Sequence, residues 1–196
     1  MWSVDPTTLT LFASAPQQEE AIALSWPLNV SDRPGRLRKP RVYFDIWFSP
    51  RRDPTAVMAF TSAGFRPLSE DDHYLPASSH CVLTEMDITC PILRTSFIIK
   101  VERPQGIRCV DVFQGIFNAY DARLTAEEQR RFASEIDERC WRAFRQRCQD
   151  APHLPEVNQR QGMRRVDLLR GVRIYDGLTR DARSQTWVLK FHHPRE

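Results

Sequence analysis

"MRRVDLLRGVRIYDGLTRDARSQTWVLKF" (residues 163–191) is the stretch on which the fold turns. Arginines are threaded through Val, Leu, Ile, Tyr and Trp, and three readings compete: a nucleic-acid strip, a catalytic strip, or the signature of a fold. A nucleic-acid strip needs unpaired bases and stacking rings on one solvent face. Here Asp167, Asp176 and Asp181 interrupt the arginines, the pattern of a folded, ion-paired segment. Asp167 stands among Arg164, Arg165 and Arg170 and beside Val166, Leu168 and Leu169. It reads as a structural ion-pair hub, because a guanidinium offers a planar fork to a carboxylate. "TWVLKFHH" (186–193) reads as a closing strand with Trp187, Leu189 and Phe191 on one face.

Working back toward the N-terminus, the apolar period is 3.6. In "CVDVFQGIFNAYDARL", Val110, Phe113, Ile116, Phe117 and Tyr120 fall on one helical stripe. A second helix follows over 125–150. Thr125 and Glu128 form its capping box, in which hydroxyl and carboxylate each satisfy an amide at the helix start. Acids lead it and arginines trail it, as the helix dipole prefers, and Phe132, Ile136, Cys140, Ala143 and Phe144 make its buried stripe. "HLPEVNQRQG" (153–162) reads as a loop. Further back the period falls to 2. "VYFDIWF" (42–48), "LTEMDI" (83–88) and "TSFIIKVE" (95–102) read as strands; "AIALSWPLNV" (21–30) is a candidate first strand. "TAVMAF" (55–60) reads as a helical turn, residues 61–81 as loop, and 1–20 as an N-terminal arm. The sum is one α+β domain over 21–196, a mostly antiparallel sheet with an antiparallel helix pair packed on one face.

The order of these pieces resembles a domain-of-unknown-function family of mushroom-forming fungi, number 6699. The matching residues are Asp111-Val112 at the first helix start, Gly162 to Leu169, Tyr175 to Leu178, and Trp187. The resemblance covers about residues 80–191 and implies a fold but no activity. The sequence departs from the family where a Thr often caps the first helix, since Arg108-Cys109 stand there, and where Ala77-Ser78-Ser79-His80 replace an Ala-Thr-x-Pro.

Composition narrows function. The net charge of +3 is too small for a chain built around a polyanion, and the arginines outnumber the three lysines many times over. No run is apolar enough to span a membrane. Five cysteines without a compact framework point to an intracellular protein, cytoplasmic or nuclear, with free thiols. No cofactor or metal is implied: the steps between His73, His80, Cys81 and Cys90 are wider than zinc sites favour, and no glycine-rich phosphate loop occurs. The leading expectation is a non-enzymatic module that binds another protein or itself, with Trp2, Trp26, Tyr43, Trp47 and Tyr74 as candidate interface residues. The alternative is a small-molecule-binding protein or enzyme with an apolar pocket between sheet and helices, where His73, His80, Cys81 and Asp87 would converge. Nucleic-acid binding through the basic loop 33–52 is a weaker reading.

Overall fold

Val57 and Ala59 are buried while Met58 and Phe60 are not, so "VMAFT" alternates with the period of a strand. The computed structural model of the chain, which describes residues 22–29, 41–53, 55–92, 97–150, 155–181 and 183–194, makes this stretch the centre of a three-stranded antiparallel sheet. Its strands are β1 (Arg41–Phe44), β2 (Val57–Thr61) and β3 (Gly64–Pro67), in that order. The expected helical turn at 55–60 is therefore a strand, and part of the expected loop 61–81 is the hairpin partner. The hairpin turns tightly at Gly64, whose φ of +101° a side chain would strain. A short helix, α1 (Glu70–Tyr74), follows, its start capped by Ser69.

The second sheet holds β4 (Glu85–Thr89), β5 (Ile99–Glu102), β6 (Ile174–Arg180) and β7 (Trp187–His192), in the order β5-β4-β7-β6. It is mixed: β4 runs parallel to β7 and the other pairs are antiparallel. The two sheets meet where Asp45 bridges Ile174 and the Ile46 amide donates to the Arg173 carbonyl. Residues 22–29 do not form the expected strand. Leu24 makes one bridge to Ser78, and Trp26–Leu28 turn through a cis Trp26–Pro27 bond. The Leu28 carbonyl accepts from the buried Tyr175 hydroxyl at 2.8 Å, which docks the segment against β6.

Helix α2 (Cys109–Asp121) lays Val112, Phe113, Ile116 and Tyr120 into the core. The cap that Arg108-Cys109 put in doubt is supplied from within the helix, where the Asp111 carboxylate accepts from the Arg108 amide at 3.0 Å and from Arg103 at 2.8 Å. The expected helix over 125–150 is broken into α3 (Ala126–Arg131) and α4 (Glu138–Asp150). Asp137 causes the break, its carboxylate accepting from the Arg139 and Cys140 amides as an N-cap. The expected loop 153–162 holds a further helix, α5 (Pro155–Gln161). A 3₁₀ turn, Arg165–Leu169, then leads into β6 and joins the helices: both α2 and α4 pack on it.

Two apolar clusters result. The larger gathers both sheets and α2 around Phe44, Phe113 and Tyr175. The smaller contains Leu124, Phe132, Cys140, Phe144, Cys148, Met163 and Leu168 under α3 and α4. The 3₁₀ turn feeds both, with Val166 and Leu169 in the larger and Leu168 in the smaller.

Candidate functional site

Asp167 is fully buried, but its neighbours' guanidiniums do not hold it. Arg147 on α4 reaches it with both prongs, Nε to Oδ1 at 2.9 Å and Nη2 to Oδ2 at 2.8 Å. The Arg164 backbone amide adds a third bond at 2.8 Å. The flanking arginines lead elsewhere. Arg164 pairs with Asp121, Arg165 with Glu128, and Arg170 with Asp137. Each carboxylate marks an end of a different helix, which makes the stretch a fastener. Burial works against the Arg147 charge, but Asp167 outweighs it and lifts the guanidinium above its ordinary value. The Glu128 carboxyl also receives the Thr125 amide at 3.0 Å while the Thr125 hydroxyl accepts from Glu128 at 3.1 Å. Burial pushes that carboxyl up, yet these bonds and Arg165 hold it below the usual range.

The four residues named for a catalytic pocket are spread over a helix, a loop and a strand. His73 ends α1, His80 and Cys81 follow in the loop beyond it, and Asp87 pairs across the ladder with Lys100. Burial lowers the His73 pKa against the pull of Asp72. The Cys81 thiol and the His80 amide both turn to the Ser78 hydroxyl. Among the described residues no group of three or more His, Cys, Asp or Glu side chains could hold a metal ion, and no helix is long and apolar enough to cross a membrane.

The candidate interface aromatics divide. Trp2 and most of the basic loop (30–40) lie outside the described residues. Trp26 packs against the main core, and Trp47 lies under the Arg173 guanidinium, 3.5 Å from its ring centroid. Tyr74 is exposed beneath Arg108. Tyr43 belongs to a surface that the sequence reading missed. On the outer face of the β1–β2–β3 sheet, register aligns Tyr43 with Met58 and Phe60 with Phe65. Phe60 is 50% exposed and Phe65 57%. Phe65 is wedged edge-on to Tyr43 at 5.5 Å and tilted against Phe60 at 5.0 Å. The inner face, with Val42, Phe44, Val57 and Ala59, is core. An apolar outer face on a sheet already buried on its inner face is unusual for an antiparallel sheet, whose second side is ordinarily polar. The signal lay in "VMAFTSAGFRP": two alternating runs around a Gly-containing turn spell a hairpin.

At its free edge β3 offers little to another strand. The Leu68 amide bonds the Val57 carbonyl, so by alternation Phe65 directs its amide and carbonyl outward, while Pro67 has no N–H. The apolar area of this sheet therefore lies on its outer face rather than along its edge.

A family model matches residues 42–186 and is described as a family of unknown function, DUF6699. No curated protein and no solved structure matches the chain.

Proposed function

We propose that this chain, which belongs to the family of unknown function DUF6699, is an intracellular, non-enzymatic protein-interaction module that docks partners on the outer face of its three-stranded sheet. The observation that carries the reading is the cluster of exposed Phe60 and Phe65 with half-buried Tyr43 and Met58. A contiguous apolar surface of this kind stays in water at a cost that a partner removes. Covering the two half-exposed phenylalanines alone contributes roughly 1.5–3 kcal/mol. The five free cysteines, four of them buried, suit a reducing compartment.

Charge selects the partner. The face carries Arg41, and the chain leading into it carries Arg33, Arg36, Arg38 and Lys39. A second copy would bring like charges together. A segment with large apolar side chains flanked by acids fits better. The edge-on packing of the rings favours this over a nucleic acid, which needs open ring faces for stacking.

A fluorescein-labelled peptide alternating Asp or Glu with Leu or Trp tests the reading by anisotropy. Saturable binding that falls at least about tenfold in Phe60→Ser/Phe65→Ser supports it, an effect of the size expected of central anchors. The reading is overturned by the absence of saturable binding, by tighter binding of single-stranded RNA to the same face, or by a dimer in light scattering that Phe65→Ser dissolves.

A further inference from the structure

We propose a second binding site, independent of the aromatic face: a cationic cleft between α4 and the joint of the two sheets that takes a small organic anion with a compact apolar body. The cleft has a volume of about 560 Å³, within the range of small-molecule sites. One wall is α4, where Arg139, Arg142 and Gln146 share a face at helical spacing. The other is the strand joint, with Trp47, Val172 and Arg173. Ile92 adds apolar surface beside the half-buried Val172.

The lining is one-signed. Four of its residues are arginines (Arg139, Arg142, Arg170 and Arg173), a fifth is His193, and none is acidic. Two of the guanidiniums are already engaged. Arg173 is tied through Nε to Asp45 at 2.9–3.0 Å and stacked on Trp47, which fixes its plane and leaves its terminal nitrogens as donors. Arg170 pairs with Asp137 and donates to the Glu135 carbonyl at 2.9 Å. Arg139 and Arg142 differ: both are exposed, and among the described residues no carboxylate pairs with either guanidinium. On the same helix, Arg145 and Arg147 each have a carboxylate.

A concave surface lined by one sign of charge focuses its field and concentrates counter-ions. Guanidinium forks suit the two oxygens of a carboxylate or the three of a phosphate. Walls on two sides and the apolar floor favour a compact ligand over a polyanion, which needs an open track. An anionic head placed between Arg139 and Arg142 would leave an attached ring or alkyl body over Val172.

Isothermal titration of the full chain at constant ionic strength tests the site with 1-naphthyl phosphate, 1-naphthoate, inorganic phosphate and 1-naphthol. We expect at least one of the two naphthyl anions to bind roughly tenfold or more tightly than inorganic phosphate and naphthol, the factor that 1.4 kcal/mol produces. Which of the two binds better identifies the head group as phosphate or carboxylate. Arg139→Gln/Arg142→Gln should weaken that binding by about tenfold or more, since each charge-assisted bond lost is of that order. Arg145→Gln and the Phe60→Ser/Phe65→Ser variant should leave it unchanged. Unaltered binding in the Arg139/Arg142 variant, or inorganic phosphate binding as well as either naphthyl anion, would overturn the proposal.

Discussion

Phe113 and Phe132 are both buried aromatic residues, but they live in differently built regions. Phe113 meets Phe44 at 5.3 Å and Tyr175 at 5.4 Å, ring edge to ring face, in a cluster that spans both sheets and α2. Phe132 belongs to a cluster of seven buried side chains roofed by α3 and α4. The first region buries enough apolar surface to stand on it. The second is a thin layer, and four arginine–carboxylate pairs hold its helices to the 3₁₀ turn and its flanks: one buried (Arg147–Asp167) and three nearer solvent (Arg164–Asp121, Arg165–Glu128, Arg170–Asp137). Where the core is thin, directional bonds take over the work of fixing helix positions. They do so with a liability, since a buried pair is strong only while both partners remain.

The largest expected effects set the regions apart. Phe113→Ala should cost about 3–5 kcal/mol, as deletion of a buried aromatic does, and urea unfolding should show the loss in a single transition. Asp167→Asn should cost a similar 3–5 kcal/mol, because it strands the Arg147 charge out of water. Its signature differs. Amide exchange in α4 should accelerate while the β4–β7 ladder stays protected, and Arg147→Gln/Asp167→Asn should cost less than the sum of the single changes. Equal acceleration in both regions would erase the distinction.

Smaller effects refine it. Thr125→Ala removes the acceptor for the Glu128 amide and should cost about 1 kcal/mol, read as a shift in the urea midpoint. The Glu128 carboxyl sits below its ordinary value in the fold. Its contribution is therefore fully present above the unfolded pKa of about 4.3 and is lost as pH falls through the lower folded value. The Thr125→Ala variant should show a weaker acid dependence over that window, because part of the depression comes from the Thr125 cap. The smallest effect is one of reactivity. Cys81 is the exposed thiol among five free ones, so native protein should take up one alkyl label rapidly and unfolded protein five. Burial pushes the Cys109 thiol in the main core up to about 12 and also raises Cys140 and Cys148. In Asp167→Asn, Cys140 and Cys148 should label before Cys109; the opposite order would place the weak region in the sheet core.

Much of this architecture was legible in residue order. The stripe of α2, the Thr125/Glu128 cap and the closing strand all follow from local spacing, and the structure holds them where spacing puts them. The failures have local causes too. An N-cap at Asp137 sat inside an apolar stripe that continues in phase across it, so two helices looked like one. A short strand with Ala and Met looked helical because Ala and Met favour helices, and with β2 misassigned the aromatic face could not be assembled.

Local patterning by itself determined the element types where period and caps agree, the burial of the apolar stripe of α2, and the ion-paired character of the stretch 163–191. Partner choice belonged to tertiary structure. Asp167 had three arginines within three residues on either side and bonded a guanidinium twenty positions away, because packing brings α4 over the 3₁₀ turn and the neighbouring arginines are held by carboxylates at helix ends. The same holds for the cationic cleft: Trp47, Arg142 and Arg173 are far apart in sequence and come together only when the two sheets join beneath α4. Short-range spacing sets which residues share a face, but the contacts between faces depend on how the chain closes its long loops.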